Sequence, residues 1–355
     1  MIAVTGGGTG GHIFPVVALI EELENRGHRD IVWIGSRSGI ERGWAEKTGV
    51  RYRGIATGKL RRYFSLRNFI DPFKVMIGLL ESFLFFLKKR PQVLFSKGGF
   101  VSLPPVLAAR FFGIPVVTHE SDTVPGLATR IIARRAAVVC IGFSHTRKSF
   151  AGRKVVCTGN PIRADVLNGD EGRAKSWLGF PNDLPIVFVI GGSLGARALN
   201  EAVWMLCKGP NTFNIVHQCG RGNRRAGLEE KTHYRQVEFL EDRMGDVLKA
   251  ASVVVSRAGA GALYEIGSLG KASILVPLPL SASRGEQIEN ARYFETHGAS
   301  FVIANEKLTP HSLKEAIQTL IADRTRRNAM GREAKQLVCE NAASGIAEII
   351  EEYIE

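Results

Sequence analysis

This chain of 355 residues lacks paired cysteines, a long uninterrupted apolar run and a phosphate loop of the G-x-x-x-x-G-K-[ST] kind. Its five cysteines (Cys140, Cys157, Cys207, Cys219 and Cys339) are scattered with no Cys-x-x-Cys spacing. That excludes an evident zinc or dithiol redox motif and fits a reducing cytoplasm. There is no Asp-x-Asp, so the converging carboxylates that usually hold a catalytic divalent ion are not evident, and no metal and no cofactor are expected. The most apolar stretch, residues 59–90, is interrupted by Asp71, Lys74 and Glu81 and fails as a transmembrane helix. The amino terminus enters a strand and a glycine turn with no basic stretch and apolar core before it, so no secretory signal is expected.

What is present is a pair of glycine-rich turns, each after a short apolar strand and each opening a helix. One runs from Ile2-Ala3-Val4-Thr5 into GGGTGGH, the other from Ile186-Val187-Phe188-Val189-Ile190 into GGSLGAR. Glycines there let backbone N–H groups approach a ligand, and the helix start favours negative charge, so a phosphorylated ligand is implied. A length of 355 residues exceeds one ordinary core, and 45% hydrophobic residues can build two. Strand signals at 31–34, 93–95, 115–118, 138–141, 155–157, 186–190, 214–217, 253–256 and 273–276 alternate with helical stretches such as 15–25, 103–112 and 198–207. The pattern is that of an α/β chain with two Rossmann-like, doubly wound parallel-sheet domains facing a cleft. Gly159-Asn160-Pro161 breaks it, which places the domains at 1–161 and 162–340, with a helix at 341–355 expected to pack back on the first.

Charge separates the halves. Residues 1–161 carry 24 Lys and Arg against 10 Asp and Glu, and residues 162–355 carry 23 against 24. The basicity peaks where the chain is most apolar, so residues 59–90 read either as an interfacial segment or as a core helix with a basic end. In the first case Phe64, Phe69, Phe73, Leu79, Leu80 and Phe83 would enter lipid while Arg61, Arg62, Lys88 and Lys89 meet anionic headgroups.

The first turn matches G-x-G-x-x-G, but no acid follows the second strand to hold a ribose, which argues against a dinucleotide. An acid does appear in the third glycine cluster, RAGAGALYEIGSLG, where Glu265 sits about a turn and a half into a helix and could accept both ribose hydroxyls. The plainer reading is a helix start that needs small residues for packing. RGEQIENA then sets Gln287 and Asn290 one turn apart, and such amides suit sugar hydroxyls.

GGGTGGH with Phe14-Pro15, then SKGGFVS, HESD, GNPIR, GGSLGA, EFLED, RAGAGALYEI and EQIENA, in this order and spacing, closely resemble the MurG family of family 28 glycosyltransferases. That resemblance implies a GT-B architecture and an inverting transfer of GlcNAc from UDP-N-acetylglucosamine to lipid I, undecaprenyl-pyrophosphoryl-MurNAc-pentapeptide. It also implies peptidoglycan synthesis at the cytoplasmic face of the cell inner membrane, with peripheral attachment through anionic lipids. Cell-wall and division proteins are candidate partners, and nucleic acid is not.

Carried over by position, Gly192 and Ser193 would hold the donor pyrophosphate. Arg163 and the backbone around Phe239 and Leu240 would surround the uracil, Glu265 would take the ribose with phosphates on the backbone through Gly261 and Ala262, and Gln287 and Asn290, with the Ala260 backbone, would read the sugar, with Asp122 nearby. Thr9, Gly10, Gly11, His12, Gly98, Gly99 and Ser102 would face the acceptor. His12 is the candidate general base, since an imidazole titrates near neutrality. His119 and Glu120 follow as runners-up. Departures from the family pattern are Asp122 for Asn, Phe100 for Tyr, Leu194 for Gln, Ala262 for Thr, and Glu286 for Gln or His. Three other readings stay open: a relative acting on a different lipid acceptor, a UDP-sugar epimerase, and a non-catalytic nucleotide-sugar-binding subunit that recruits partners to the membrane.

Overall fold

The computed structural model of the chain describes residues 1–58, 67–192, 194–228 and 231–354, without the side chains of 67–70. They form two compact units, Met1–Arg163 with Cys339–Glu355, and Ala164–Val338. In the first, β1 (Ile2–Thr5), α1 (Gly10–Asn25), β2 (Ile31–Ser36), α2 (Glu41–Thr48), β3 (Arg51–Ile55) and α3 (Arg67–Lys88) alternate. They lead into β4 (Val93–Ser96), α4 (Leu103–Phe111), β5 (Val116–Glu120), α5 (Leu127–Ala133), β6 (Val138–Ile141) and β7 (Val155–Cys157). The second unit begins with α6 (Ala164–Leu167), α7 (Glu171–Leu178), β8 (Ile186–Ile190), α8 (Arg197–Leu206), β9 (Asn214–Gln218) and β10 (Tyr234–Val237). It continues through α9 (Met244–Ala250), β11 (Val253–Ser256), α10 (Ala260–Ser268), β12 (Ser273–Leu275), α11 (Glu286–Thr296), β13 (Phe301–Val302), α12 (Pro310–Ala322) and α13 (Arg324–Gln336), and α14 (Ala342–Glu351) returns to the first unit.

Among the described residues each unit has one all-parallel sheet, ordered β3-β2-β1-β4-β5-β6-β7 and β10-β9-β8-β11-β12-β13. Helices cover both faces of such a sheet, so its inner strands read as continuous apolar runs, and Ile186–Ile190 is buried at every position. Three strands escape the pattern in the sequence: β3, β10 and β13. All three are sheet edges. Half-solvated edges tolerate alternating polar residues, as in RYRGI and YRQV, and these carry a weaker signal. Helix α1 starts at Gly10, five residues before the proline from which the helical pattern reads. Pro15 has no N–H to give the carbonyl of Gly11, a loss that the first turns of a helix tolerate.

α14 packs on α1, with Ile346, Ala347 and Ile350 buried in the same core as Ile13, Val17 and Leu23. Arg26 at the end of α1 joins the two, donating to Glu351 at 2.9 Å, to Ser344 Oγ at 2.7 Å and to Glu22 at 2.7 Å. The return also sets the Cys157 and Cys339 sulfurs 3.7 Å apart, a pairing that a sequence separation of 182 conceals.

In the second unit, buried His217 bridges Tyr234 Oη (2.9 Å) and Asn200 Oδ1 (3.0 Å). Burial pushes its imidazole down to about 3 from an ordinary 6.5. The unfolded chain therefore takes up a proton that the native chain refuses, and stability that is complete above pH 6.5 drains away as pH falls toward 3. From this group alone the slope is about 1.4 kcal/mol per pH unit. Urea titrations across that range should show a shallower acid loss for His217→Gln than for the wild type.

Candidate active site

In a doubly wound sheet the carboxyl ends of the two strands at which the order reverses open a crevice. In the first unit these are β1 and β4, and the turns leaving them are Gly6–Thr9 and Lys97–Gly99. The expected acceptor residues converge here. His12, in the first turn of α1, has its Nδ1 2.9 Å from Thr9 Oγ1. When Nδ1 carries the proton and donates to that hydroxyl, Nε2 is left as a base. The ring lies over Gly99, where a Cβ would sit 3.2 Å from Nε2 on a backbone with φ of +78°. Only glycine fits both demands. Gly98 is shaped alike, with φ of +83°, and Ser102 Oγ donates to its carbonyl at 2.7 Å. The amides of Gly10 and Gly11 precede the first intrahelical bond and point out of the helix start.

The two runners-up for the base are placed differently. His119 is fully buried and its Nε2 donates to Gly159 O at 2.7 Å. Burial, reinforced by Lys97, holds it well below the ordinary imidazole value. Glu120 spends its carboxylate on the loop that follows, accepting from the amides of Asp122 and Gly126, each at 3.1 Å. Both therefore serve as braces. Lys97, not singled out from the sequence, is buried with Nζ 3.0 Å from Ser121 Oγ. Burial lowers its pKa, against the pull of Glu120 and Asp122.

In the second unit the order reverses between β8 and β11, and the turns there are Gly191–Ala196 and Arg257–Gly259. Ser193 lies outside the described residues. Gly192 is exposed with φ of +85°, and a Cβ on Gly195 would run into the Cys219 carbonyl. That carbonyl is held from behind by Asn200 Nδ2 at 2.8 Å. Gln218 Oε1 accepts from Leu240 N at 2.8 Å and so sets the Phe239–Leu240 segment, whose ring lies 5.6 Å from the Arg221 guanidinium. Ala260, Gly261 and Ala262 form the first turn of α10 and Glu265 follows, partly exposed.

On α11, Gln287 Oε1 accepts from Leu278 N at 3.1 Å. Buried Asn290 donates to Ala258 O at 3.0 Å. Asn290 thus braces the turn after β11, and Gln287 the segment that leaves β12. Two residues expected at the donor, Arg163 and Asp122, belong to the first unit. Arg163 lies 5.0 Å from the Phe14 ring and 5.8 Å from Trp44. Among the described residues, no group of three His, Cys, Asp or Glu could hold a metal ion.

Arg61, Arg62 and Phe64 lie outside the described residues, and of the side chain of Phe69 nothing is described. On α3, Phe73, Met76, Ile77, Leu80, Leu84 and Leu87 are all exposed at helical spacing, and Phe111 of α4 is 76% exposed. Lys88 and Lys89 are exposed at its end. Leu79 and Phe83, expected to enter lipid, are half-buried and pack along the edge of the unit's core, because they flank the helix face that carries Ser82 and Phe86 inward. Glu81 also faces inward, accepting from Ala56 N at 2.7 Å and pairing with Arg37. No described helix is long and apolar enough to cross a membrane.

The glycosyltransferase family 28 N-terminal domain matches residues 2–141 and the family's C-terminal domain matches residues 186–352. This chain belongs to glycosyltransferase family 28. It is 42% identical, over 99% of both chains, to the Clostridium kluyveri UDP-N-acetylglucosamine--N-acetylmuramyl-(pentapeptide) pyrophosphoryl-undecaprenol N-acetylglucosamine transferase. The Clostridium tetani protein of the same name is 40% identical over 99% of this chain and 98% of its own. The crystal structure of Acinetobacter baumannii MurG is similar with a TM-score of 0.77 at 27% identity, covering 99% of each chain. The two parallel α/β units are the GT-B pair of this family.

For this family 28 chain the brace role of Asn290 has a test that needs no ligand. Asn290→Leu leaves the Ala258 carbonyl without its buried donor and should cost about 1–3 kcal/mol in urea unfolding. A side chain that served only to read a ligand would leave stability unchanged.

Proposed function

We propose that the protein transfers GlcNAc from UDP-N-acetylglucosamine to the 4-hydroxyl of the MurNAc sugar of lipid I, forming lipid II, with inversion at the anomeric carbon. The observation that carries this reading is the full-length likeness, at 42% identity, to the Clostridium kluyveri transferase of that specificity. The geometry supports the following roles. The second unit takes the donor, with the turns after β8 and β11 offering amides and helix starts to the UDP phosphates and Glu265 accepting from the ribose. The first unit takes the acceptor, its pyrophosphate against Gly10 and Gly11.

The acceptor oxygen attacks C1 of GlcNAc as the bond from C1 to the phosphate oxygen breaks and its electron pair leaves with UDP. The hydroxyl proton passes to Nε2 of His12, whose Nδ1–H is held by Thr9 Oγ1 at 2.9 Å. The negative charge gathering on UDP is met by backbone N–H groups aligned before the reaction, so little reorganisation accompanies it.

Membrane attachment is peripheral, at the cytoplasmic face. Six exposed apolar side chains along α3, with Phe111 beside them, would enter the headgroup region while Lys88, Lys89, Arg61 and Arg62 meet anionic lipid. Cell-wall and division proteins remain partners of this membrane-bound state.

Two measurements check the reading. With labelled UDP-N-acetylglucosamine and a short-chain lipid I analogue, the wild type should form the disaccharide product, and His12→Ala should lower kcat by about 10²–10⁴-fold with donor affinity kept. Replacing Phe73 and Leu80 by Ser should release the protein from anionic vesicles in sedimentation. Binding as tight as wild type would remove α3 as the contact.

A further inference from the structure

A dinucleotide fold keeps the space beneath its first glycine turn for the ligand, with pyrophosphate on the turn amides and ribose on an acid after the second strand. In the first unit that space is filled from within. Glu41, the first residue of α2, is fully buried. Its Oε2 accepts from Gly8 N at 3.1 Å and its Oε1 from Ser36 N at 2.8 Å, so one carboxylate ties the turn after β1 to the end of β2. A Cβ on Gly7 or Gly39 would run into the carboxyl group, and a Cβ on Gly35 would come within 2.9 Å of its Cγ. Three glycines thus make room for one acid, at a helix start that favours negative charge. Phe100, in the turn after β4, closes the other side of Gly8, 2.9 Å from where its Cβ would lie.

We propose that Glu41 is a positioning residue whose carboxylate acts as a built-in anion beneath the first glycine turn, holding Gly7 and Gly8 so that Thr9, His12 and the amides of Gly10 and Gly11 stand ready for the acceptor. The inference rests on the acceptor role given above to that turn. The same carboxylate bars a nucleotide phosphate from the amides of Gly8 and Ser36, which leaves the second unit as the seat of the donor. It touches no reacting atom and acts through Gly8 and Thr9 on the His12 ring.

The test compares wild type, Glu41→Gln, Glu41→Ala, Gly7→Ala and the double variant Gly7→Ala/Glu41→Ala, varying UDP-N-acetylglucosamine and a short-chain pyrophosphoryl-MurNAc acceptor in turn. Glu41→Ala should lower kcat by about 100-fold, the scale of loss from an ångström of misplacement, with the donor KM unchanged. Glu41→Gln, which keeps one accepting oxygen, should fall between. The double variant should be no worse than Glu41→Ala alone, since the clash at Gly7 needs both partners. Amide exchange of Gly8–His12 should quicken in Glu41→Gln with no substrate present.

Wild-type kcat in soluble Glu41→Gln and Glu41→Ala overturns the proposal, as does unchanged amide exchange in Glu41→Gln. An equal loss of donor affinity and kcat also overturns it, marking a general scaffold. Should Glu41→Ala fail to fold, the kcat and exchange of Glu41→Gln decide alone. Failure of the wild type to glycosylate the acceptor would strike the proposed reaction instead, and the exchange measurement would still judge the hold on the turn.

Discussion

An anion can rest on main-chain amides only where no side chain stands in front of them, and both units meet this constraint at the carboxyl ends of their two central strands. Glycine supplies the opening at an entropic cost, and a turn rich in glycine will not hold its own shape. Each turn is therefore held from behind by buried polar side chains: Glu41 under Gly8, Asn200 under the carbonyl that faces Gly195, and Asn290 behind Ala258. A buried polar group without a partner costs more than a made bond returns, so each of these contacts restricts the turn to one arrangement.

The same economy explains the unequal faces of α3. One face carries Ser82 and Phe86 into the core with Leu79 and Phe83 beside them, and Glu81 is used up on Ala56 N and Arg37. The other leaves Phe73, Leu80 and Leu87 in solvent, a row of large apolar groups that a soluble surface ordinarily avoids. The charges that interrupt the apolar stretch in the sequence therefore do not all lie in the proposed lipid-facing row. Glu81 turns toward the protein, and helical periodicity decides which neighbour is spared.

Much of the fold was legible in the chain. Inner strands of a parallel sheet are buried on both faces, so apolar runs such as Val253–Ser256 identify them, and the glycine turns mark where the chain doubles back. The edge strands β3, β10 and β13 were not legible, because a half-solvated strand carries no continuous apolar signal. Of the site, the position of His12 was readable from its motif. The braces were not. Glu41 follows β2 by only a few residues, yet nothing local says that its carboxylate turns back under Gly8, and nothing local says that Gln218 holds Leu240 N.

The sequence by itself determined the alternation of strand and helix, the two glycine turns, the charge difference between the halves and the motifs of family 28, since all of these are written in neighbouring residues. Tertiary structure alone decided which faces of α3 are covered, that Glu120 and His119 are spent as braces, that Cys157 meets Cys339, and that Arg163 lies against Phe14 and Trp44. The division has a physical cause. Local patterns report what a residue prefers over a few positions, whereas the partner of a buried polar or charged group is chosen by whatever the packed core brings within hydrogen-bonding reach.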